Sequence, residues 1–240
     1  MEQIYTIPVN EAFEASRDDH SCGCPMCALY NKLENDELEL ILGASMMEPD
    51  IRVKTNEMGF CKEHFDQMRK ANNRLSLALM LDSHLIEIRK DIFGEGNLFK
   101  PKPKKIAYKA VRLEETCFVC DKMNFGMEHM LDTIYRTFEK DKEFRALFAK
   151  QSEFCLPHYS LLVSNIPTNM SKDMAKELCD TARDVTVRYL DGLNSDVRHF
   201  CDMFDYRNNG DDADWGNSKD SIERTTAFLT GTLPDSIKIK

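Results

Sequence analysis

Apolar positions along this chain recur mostly at intervals of three and four, the spacing that gathers side chains on one face of a helix. Residues 28–42 predict a helix with a loose stripe at Leu29, Leu33, Leu40 and Ile41. Pro49 and Gly59 bound an expected loop. Residues 62–92 then predict one long helix, with Phe65, Met68, Leu75, Leu79, Leu85 and Ile88 marking its buried side. Its segment 75–81 is apolar on most faces, which implies central burial. Further on, 121–139 predict a helix along Phe125, Met130, Ile134 and Phe138, followed by shorter ones at 142–150 and 157–164, the last with Pro157 in its tolerant first turn. From a cap at Ser171 or Asn169, a helix continues to about 205 along Leu178, Ala182, Val185, Tyr189, Leu193, Val197, Phe200 and Phe204. Gly192 inside it costs about 1 kcal/mol relative to Ala and marks close packing or a bend. Only YTIPV (5–9) and KIAYKAV (105–111) alternate as strands do. The expected class is all-α, with the two long helices as its spine.

Size and composition narrow this only slightly. The 240 residues are 42% apolar, with 14 phenylalanines and 13 methionines, enough for one large core or two modest ones. The longest apolar run, 75–86, is broken by Asp82 and His84 and is too short to span a membrane. The start, MEQIYTIPVNEAFEASRDDH, lacks a basic region followed by an apolar block, so no secretory signal is expected and a cytoplasmic location without membrane insertion is. A net charge of −9 argues against a protein built to clamp a phosphate backbone. The local exception is 97–112, with six basic residues and no acid.

The nine cysteines change the picture most. They stand at 22, 24, 27, 61, 117, 120, 155, 179 and 201, an odd number without an export signal, which favours metal ligation over disulfides. CPMC at 24–27 precedes CFVC at 117–120 by 93 positions, and Cys61 and His64 of GFCKEHF precede Cys155 and His158 of EFCLPHY by 94. An aromatic residue stands before the third cysteine and after the histidine in both copies. This is an internal duplication. It divides the chain into an N-terminal helical unit (1–93), a basic Pro/Lys linker expected to be extended (94–113), a C-terminal helical unit (114–206), and a tail of acidic loop and short helix (207–240).

Read in chain order, each unit holds one Cys3His set: Cys24, Cys27, Cys61 and His64, then Cys117, Cys120, Cys155 and His158. Three thiolates and an imidazole suit zinc, two ions in all, with ferrous iron or an iron–sulfur cluster as the other metal chemistries. Four protein ligands leave no open position for a reacting water, so the sites read as structural. Lys62 flanks the first set where Leu156 and Pro157 flank the second, so the second is expected to be the drier. Cys22 beside Cys24 could serve as a spare thiol for redox exchange at the first site. Elsewhere His84, His129 and His199 read as satisfied or surface histidines, and Cys179 and Cys201 as small core residues. In the tail, Asp211, Asp212 and Asp214 form an acidic loop. Trp215 is the expected anchor, and a helix capped by Ser218 or Asp220 would dock through Ile222, Phe228 and Leu229.

CPMCALY, GFCKEHF, CFVC, EFCLPHY and WGNSKDSIERTTAFLTG together resemble a bacterial (Firmicutes-type) domain-of-unknown-function family, over residues from about 5 to 231. Its members are sometimes labelled transporter substrate-binding proteins, but no export signal or two-lobed α/β pattern is present to support that label. The resemblance implies the two Cys-Cys-Cys-His sets and no particular activity. The expected role is a zinc-stabilised scaffold or protein-interaction module, with protein as the partner. The alternatives are a thiol/zinc redox sensor or metal-dependent enzyme using the first site with Cys22, and a nucleic-acid-associated protein acting through 100–112.

Overall fold

The computed structural model describes residues 4–95, 101–205, 207 and 214–231. Among them are eleven α-helices and no strand. In chain order these are α1 (Thr6–Asp18), α2 (Pro25–Leu42), α3 (Pro49–Met58), α4 (Lys62–Lys70), α5 (Arg74–Asp91), α6 (Pro103–Glu115), α7 (Phe118–Lys140), α8 (Lys142–Ala149), α9 (Leu156–Ser164), α10 (Lys172–Asp202) and α11 (Ser221–Thr230).

The all-α class holds, and the departures from expectation have local causes. YTIPV enters α1, which buries Val9, Phe13 and Ser16. Five alternating residues are too few to outweigh that longer helical spacing. Pro49 and Gly59 bound a helix rather than a loop. Pro49 occupies the first turn of α3, where its missing N–H costs nothing, and Gly59 closes it at φ 62°. The long helix expected over 62–92 is two helices. The chain breaks at Ala71–Asn73, and Asn73 then caps α5 by accepting from the Ser76 N–H while its Nδ2 donates to the Leu42 carbonyl. The linker is corrected as well: Pro103 stands in the first turn of α6, so the Pro/Lys alternation disfavours helix only upstream of it. Ser171 caps α10 by accepting from the Met174 N–H, and Gly192 faces open space.

The chain packs as two compact units whose boundaries differ from the sequence halves. One comprises the described residues of 4–31 and 127–231, the other those of 32–126. Both α2 and α7, the helices that follow the Cys-x-x-Cys pairs, start in one unit and end in the other.

The first unit has an aromatic core. Phe148 lies 4.8 Å from Phe154, 5.1 Å from Phe138 and 5.8 Å from Phe13, centroid to centroid. Gln151 ties this cluster to the backbone by donating to the Phe13 and Leu147 carbonyls. The tail helix α11 docks here through Phe228, 5.8 Å from Tyr189, whereas Ile222 and Leu229 stay exposed. Trp215 makes edge contacts with Phe200 and Phe204, as an anchor should. Asp211 and Asp212 lie outside the described residues.

The second unit packs α5 against α3 and α4, burying Leu77, Met80 and His84. Gly126 passes so close to the Leu33 side chain that a Cβ there would collide with it.

Candidate metal centres

Each of the four cysteine motifs starts a helix in the same way. Cys24, Cys61, Cys117 and Cys155 stand immediately before α2, α4, α7 and α9. The second donor of each motif, Cys27, His64, Cys120 or His158, is the third residue inside the helix. Residues at these two positions face each other at a helix start, which is the geometry that lets a capping residue and its partner meet. The spacing of three thus brings two donors together at the positive end of a helix. The carbonyls of Cys61 and Cys155 meanwhile accept the first helical bonds, from Phe65 and Tyr159. Neither thiol is used as a side-chain cap, which leaves its sulfur for other partners.

The structure gathers all eight candidates into two groups of four, but not in the sets read from chain order. Cys24 and Cys27 meet Cys155 and His158, while Cys61 and His64 meet Cys117 and Cys120. In each group the donor atoms lie within 4.8 Å of one another, and each could hold a metal ion. Every Cys-x-x-Cys pair is therefore joined to the Cys-x-x-His of the other repeat. Helix length explains the correction. At about 1.5 Å per residue, α2 carries the chain about 27 Å and α7 about 35 Å away from the pair that begins it. The next Cys-x-x-His follows beyond the far end of that helix.

The group in the first unit is fully buried. His158 Nδ1 lies 3.1 Å from Cys155 Sγ, 3.3 Å from Cys27 Sγ and 3.7 Å from Cys24 Sγ. The Cys27 and Cys155 sulfurs are 3.6 Å apart. Phe154, immediately before Cys155, is sealed in the aromatic core and fixes that corner of the group. His158 Nε2 is buried without a hydrogen-bond partner.

In the second unit, His64 Nδ1 lies 3.1, 3.3 and 3.4 Å from the sulfurs of Cys61, Cys117 and Cys120. The Cys61 and Cys120 sulfurs are 3.9 Å apart, and both residues are partly exposed. Here the far side of the imidazole is engaged: His64 Nε2 lies 3.2 Å from Glu34 Oε1. Phe60 anchors this corner, 5.4 Å from Phe65 and 6.4 Å from Phe118.

The electrostatics of both groups favour a cation. Contacts with Cys155 and Cys24 hold the Cys27 thiol far below its ordinary range, and contacts with Cys117 and Cys120 do the same for Cys61. Burial pushes Cys24 up, and contacts with Cys117 and Cys61 push Cys120 up. Burial opposes charge on His64, but its contacts with Cys117, Cys61 and Glu34 outweigh that and raise it to about 11. Acids this close cannot all give up their protons unless a positive ion replaces them.

Cys22 is exposed in the turn before α2, but the thiols it adjoins are the buried ones. The drier group is thus the one containing Cys24 and Cys27, and within the two groups the partly exposed thiols are Cys61 and Cys120. Over its described part the basic stretch is largely exposed, with Lys102, Lys104, Lys105 and Arg112 at the surface, but acids stand beside it. Lys109 donates to the Asp91 carbonyl at 2.9 Å, and Lys105, Lys109 and Arg112 share a groove of about 600 Å³ with Glu57, Glu87 and Asp91. His84 Nδ1 donates to the Asn56 carbonyl, His129 stacks on Tyr5, and His199 Nε2 donates to the Asp214 carbonyl, so all three have partners. The residue that sequence reasoning missed is Glu34. It is one of several acids along α2, and nothing in its local pattern sets it apart from Asp36, Glu37 or Glu39.

A family model described as a family of unknown function, DUF6062, matches residues 1–236. The chain belongs to that family. No curated protein and no solved structure matches it. For this DUF6062 chain the crossed donor sets are therefore the most specific chemical feature. No helix among its described residues is long and apolar enough to cross a membrane.

Proposed function

We propose that this protein is a structural zinc protein holding two ions, one in each Cys3His group, and that it serves as a scaffold or protein-interaction module. The observation that carries the reading is the crossed arrangement. Each group takes two donors from one repeat and two from the other, so an ion there would pin together segments 53 to 134 residues apart. A tetrahedral ion with bonds of about 2.3 Å to sulfur and about 2.05 Å to nitrogen needs donor separations of about 3.8 Å between sulfurs and about 3.6 Å from sulfur to nitrogen. The sulfur–sulfur contacts of 3.6 and 3.9 Å match such an ion, and the sulfur–nitrogen contacts of 3.1 to 3.7 Å lie at or up to about 0.5 Å inside the required separation. Four protein donors close the coordination sphere, which supports a structural rather than a hydrolytic role.

Elemental analysis of the purified chain should find two zinc ions per molecule; bound iron or a cluster absorption band would replace zinc in this reading. The pairing is tested by alkylation followed by mass mapping. Cys155→Ser should make Cys24 and Cys27 reactive and leave Cys117 and Cys120 protected, and Cys61→Ser should do the reverse. Release of the partners in chain order would sink the crossed assignment.

A second reading is favoured by the partial exposure of Cys61 and Cys120. Thiolates within reach of solvent are the ones an oxidant attacks, so a redox response at a donor group would belong to the one in the second unit; Cys22 is itself exposed, but the thiols beside it are buried.

A further inference from the structure

Helix α5 presents apolar side chains on two opposite faces. Its inner face is buried against α3 and α4 through Leu77, Met80 and His84. Its outer face carries Leu75, Leu79, Leu85 and Ile86, exposed by 71%, 42%, 58% and 48%. Apolar side chains gathered on one exposed helix face mark a contact surface, and this face stays exposed among the described residues of one chain.

The outer face is organised as a stripe. Positions 75, 78, 79, 82, 85, 86 and 89 follow the three-and-four spacing of a helix–helix seam. Two charges interrupt it, Asp82 and Arg89, both exposed, opposite in sign and seven residues apart. The bonds from Ile92 N–H to the Ile88 carbonyl and from Gly94 N–H to the Lys90 carbonyl extend the helical path to Phe93, which is 62% exposed.

These positions are self-complementary when a second copy of the stripe runs antiparallel. A two-fold axis between positions 85 and 86 sets Leu85 of each copy against Ile86 of the other. The same axis puts each Asp82 opposite the other copy's Arg89. It also places the small Ala78 opposite the bulky Phe93. One register therefore satisfies the apolar centre, both charges and the size match of Ala78 with Phe93, while it sets Leu79 opposite Ile92, which its own chain buries. Isologous contacts of this kind are the commonest way that identical chains associate. We propose that the outer face of α5 is a homodimer interface, occupied by the same face of a second copy in this antiparallel register.

Arg89 now pairs with Glu95 of its own chain at the surface, through Oε1 at 2.7 Å. Such an exposed pair is worth little, so it can be exchanged for Asp82 of a second copy at small cost.

Sedimentation equilibrium of the full metal-loaded chain should show a concentration-dependent dimer. Ile86→Glu should abolish it while leaving the helix content unchanged, because that side chain already faces solvent over about half its area within one chain. Asp82→Arg and Arg89→Asp should each weaken the dimer by about tenfold or more, since each sets like charges face to face twice. The double variant Asp82→Arg/Arg89→Asp should restore it. Within one chain these two positions are two turns apart and do not touch, so rescue requires the crossed contact. A chain that stays monomeric, or a dimer indifferent to Ile86→Glu, would overturn the proposal. A dimer weakened by both single reversals but not rescued by the double would overturn the register.

Discussion

Glu34 distinguishes the two centres more than any ligand does. Its carboxylate lies against His64 Nε2, while the matching nitrogen of His158 has no partner. A carboxylate in that position fixes which ring nitrogen is left for a metal and makes it a stronger donor; losing such support typically costs about 10–100-fold in affinity. Glu34→Gln should therefore speed metal loss to a competing chelator from the Cys61 group by about that factor and leave the Cys24 group unchanged. A chromogenic chelator with mass mapping of the freed thiols reads both. A second residue, His84, carries a pH dependence. Burial holds its imidazole below the ordinary value, opposed by its contact with the Asn56 carbonyl. The unfolded chain then binds a proton at higher pH than the folded one does. The stability is fully present above the unfolded value of about 6.5 and is lost as pH falls through it toward the folded value. Urea midpoints measured down through that window should fall less steeply for His84→Gln than for the parent chain.

Helices are largely legible as helices because their apolar spacing is local, and so are some of their starts. Ser171 and Asn169 both read as caps of α10, and Ser171 is the one that caps it. The missed boundaries share a cause: Pro and Gly punctuate a chain without saying on which side the helix lies. Pro49, Gly59 and Pro103 read as loop or linker residues, and each sits at the end of a helix. The break between α4 and α5 depends on Asn73 reaching the Leu42 carbonyl, a contact between residues 31 apart that no local pattern encodes. The apolar surplus of 75–81 is also legible, but the side read as buried, Leu75, Leu79 and Leu85, is exposed, and burial falls on the opposite side of α5 at Leu77, Met80 and His84.

At the scale of the whole molecule, all eight residues that gather into the two groups can be named from sequence, yet their pairing cannot. Two repeats with identical motifs allow either assignment, and the choice depends on where α2 and α7 deliver the chain. If the ions are part of folding, stripping them should cost structure in both units. Under a strong chelator, hydrogen exchange should rise first around α4 and the start of α7, where Cys61 and Cys120 are accessible, and later around α9. Simultaneous release would contradict the difference in burial. The crossing also orders the protein's birth. The Cys61 group is complete once residue 120 has emerged from the ribosome, whereas Cys27 must wait a further 131 residues for His158. At 5–20 residues per second that is roughly 7–26 s, during which the earliest thiols of the chain are made but have no partners. On that order the Cys61 group can close first, and the Cys24 group only after its last donor has been made.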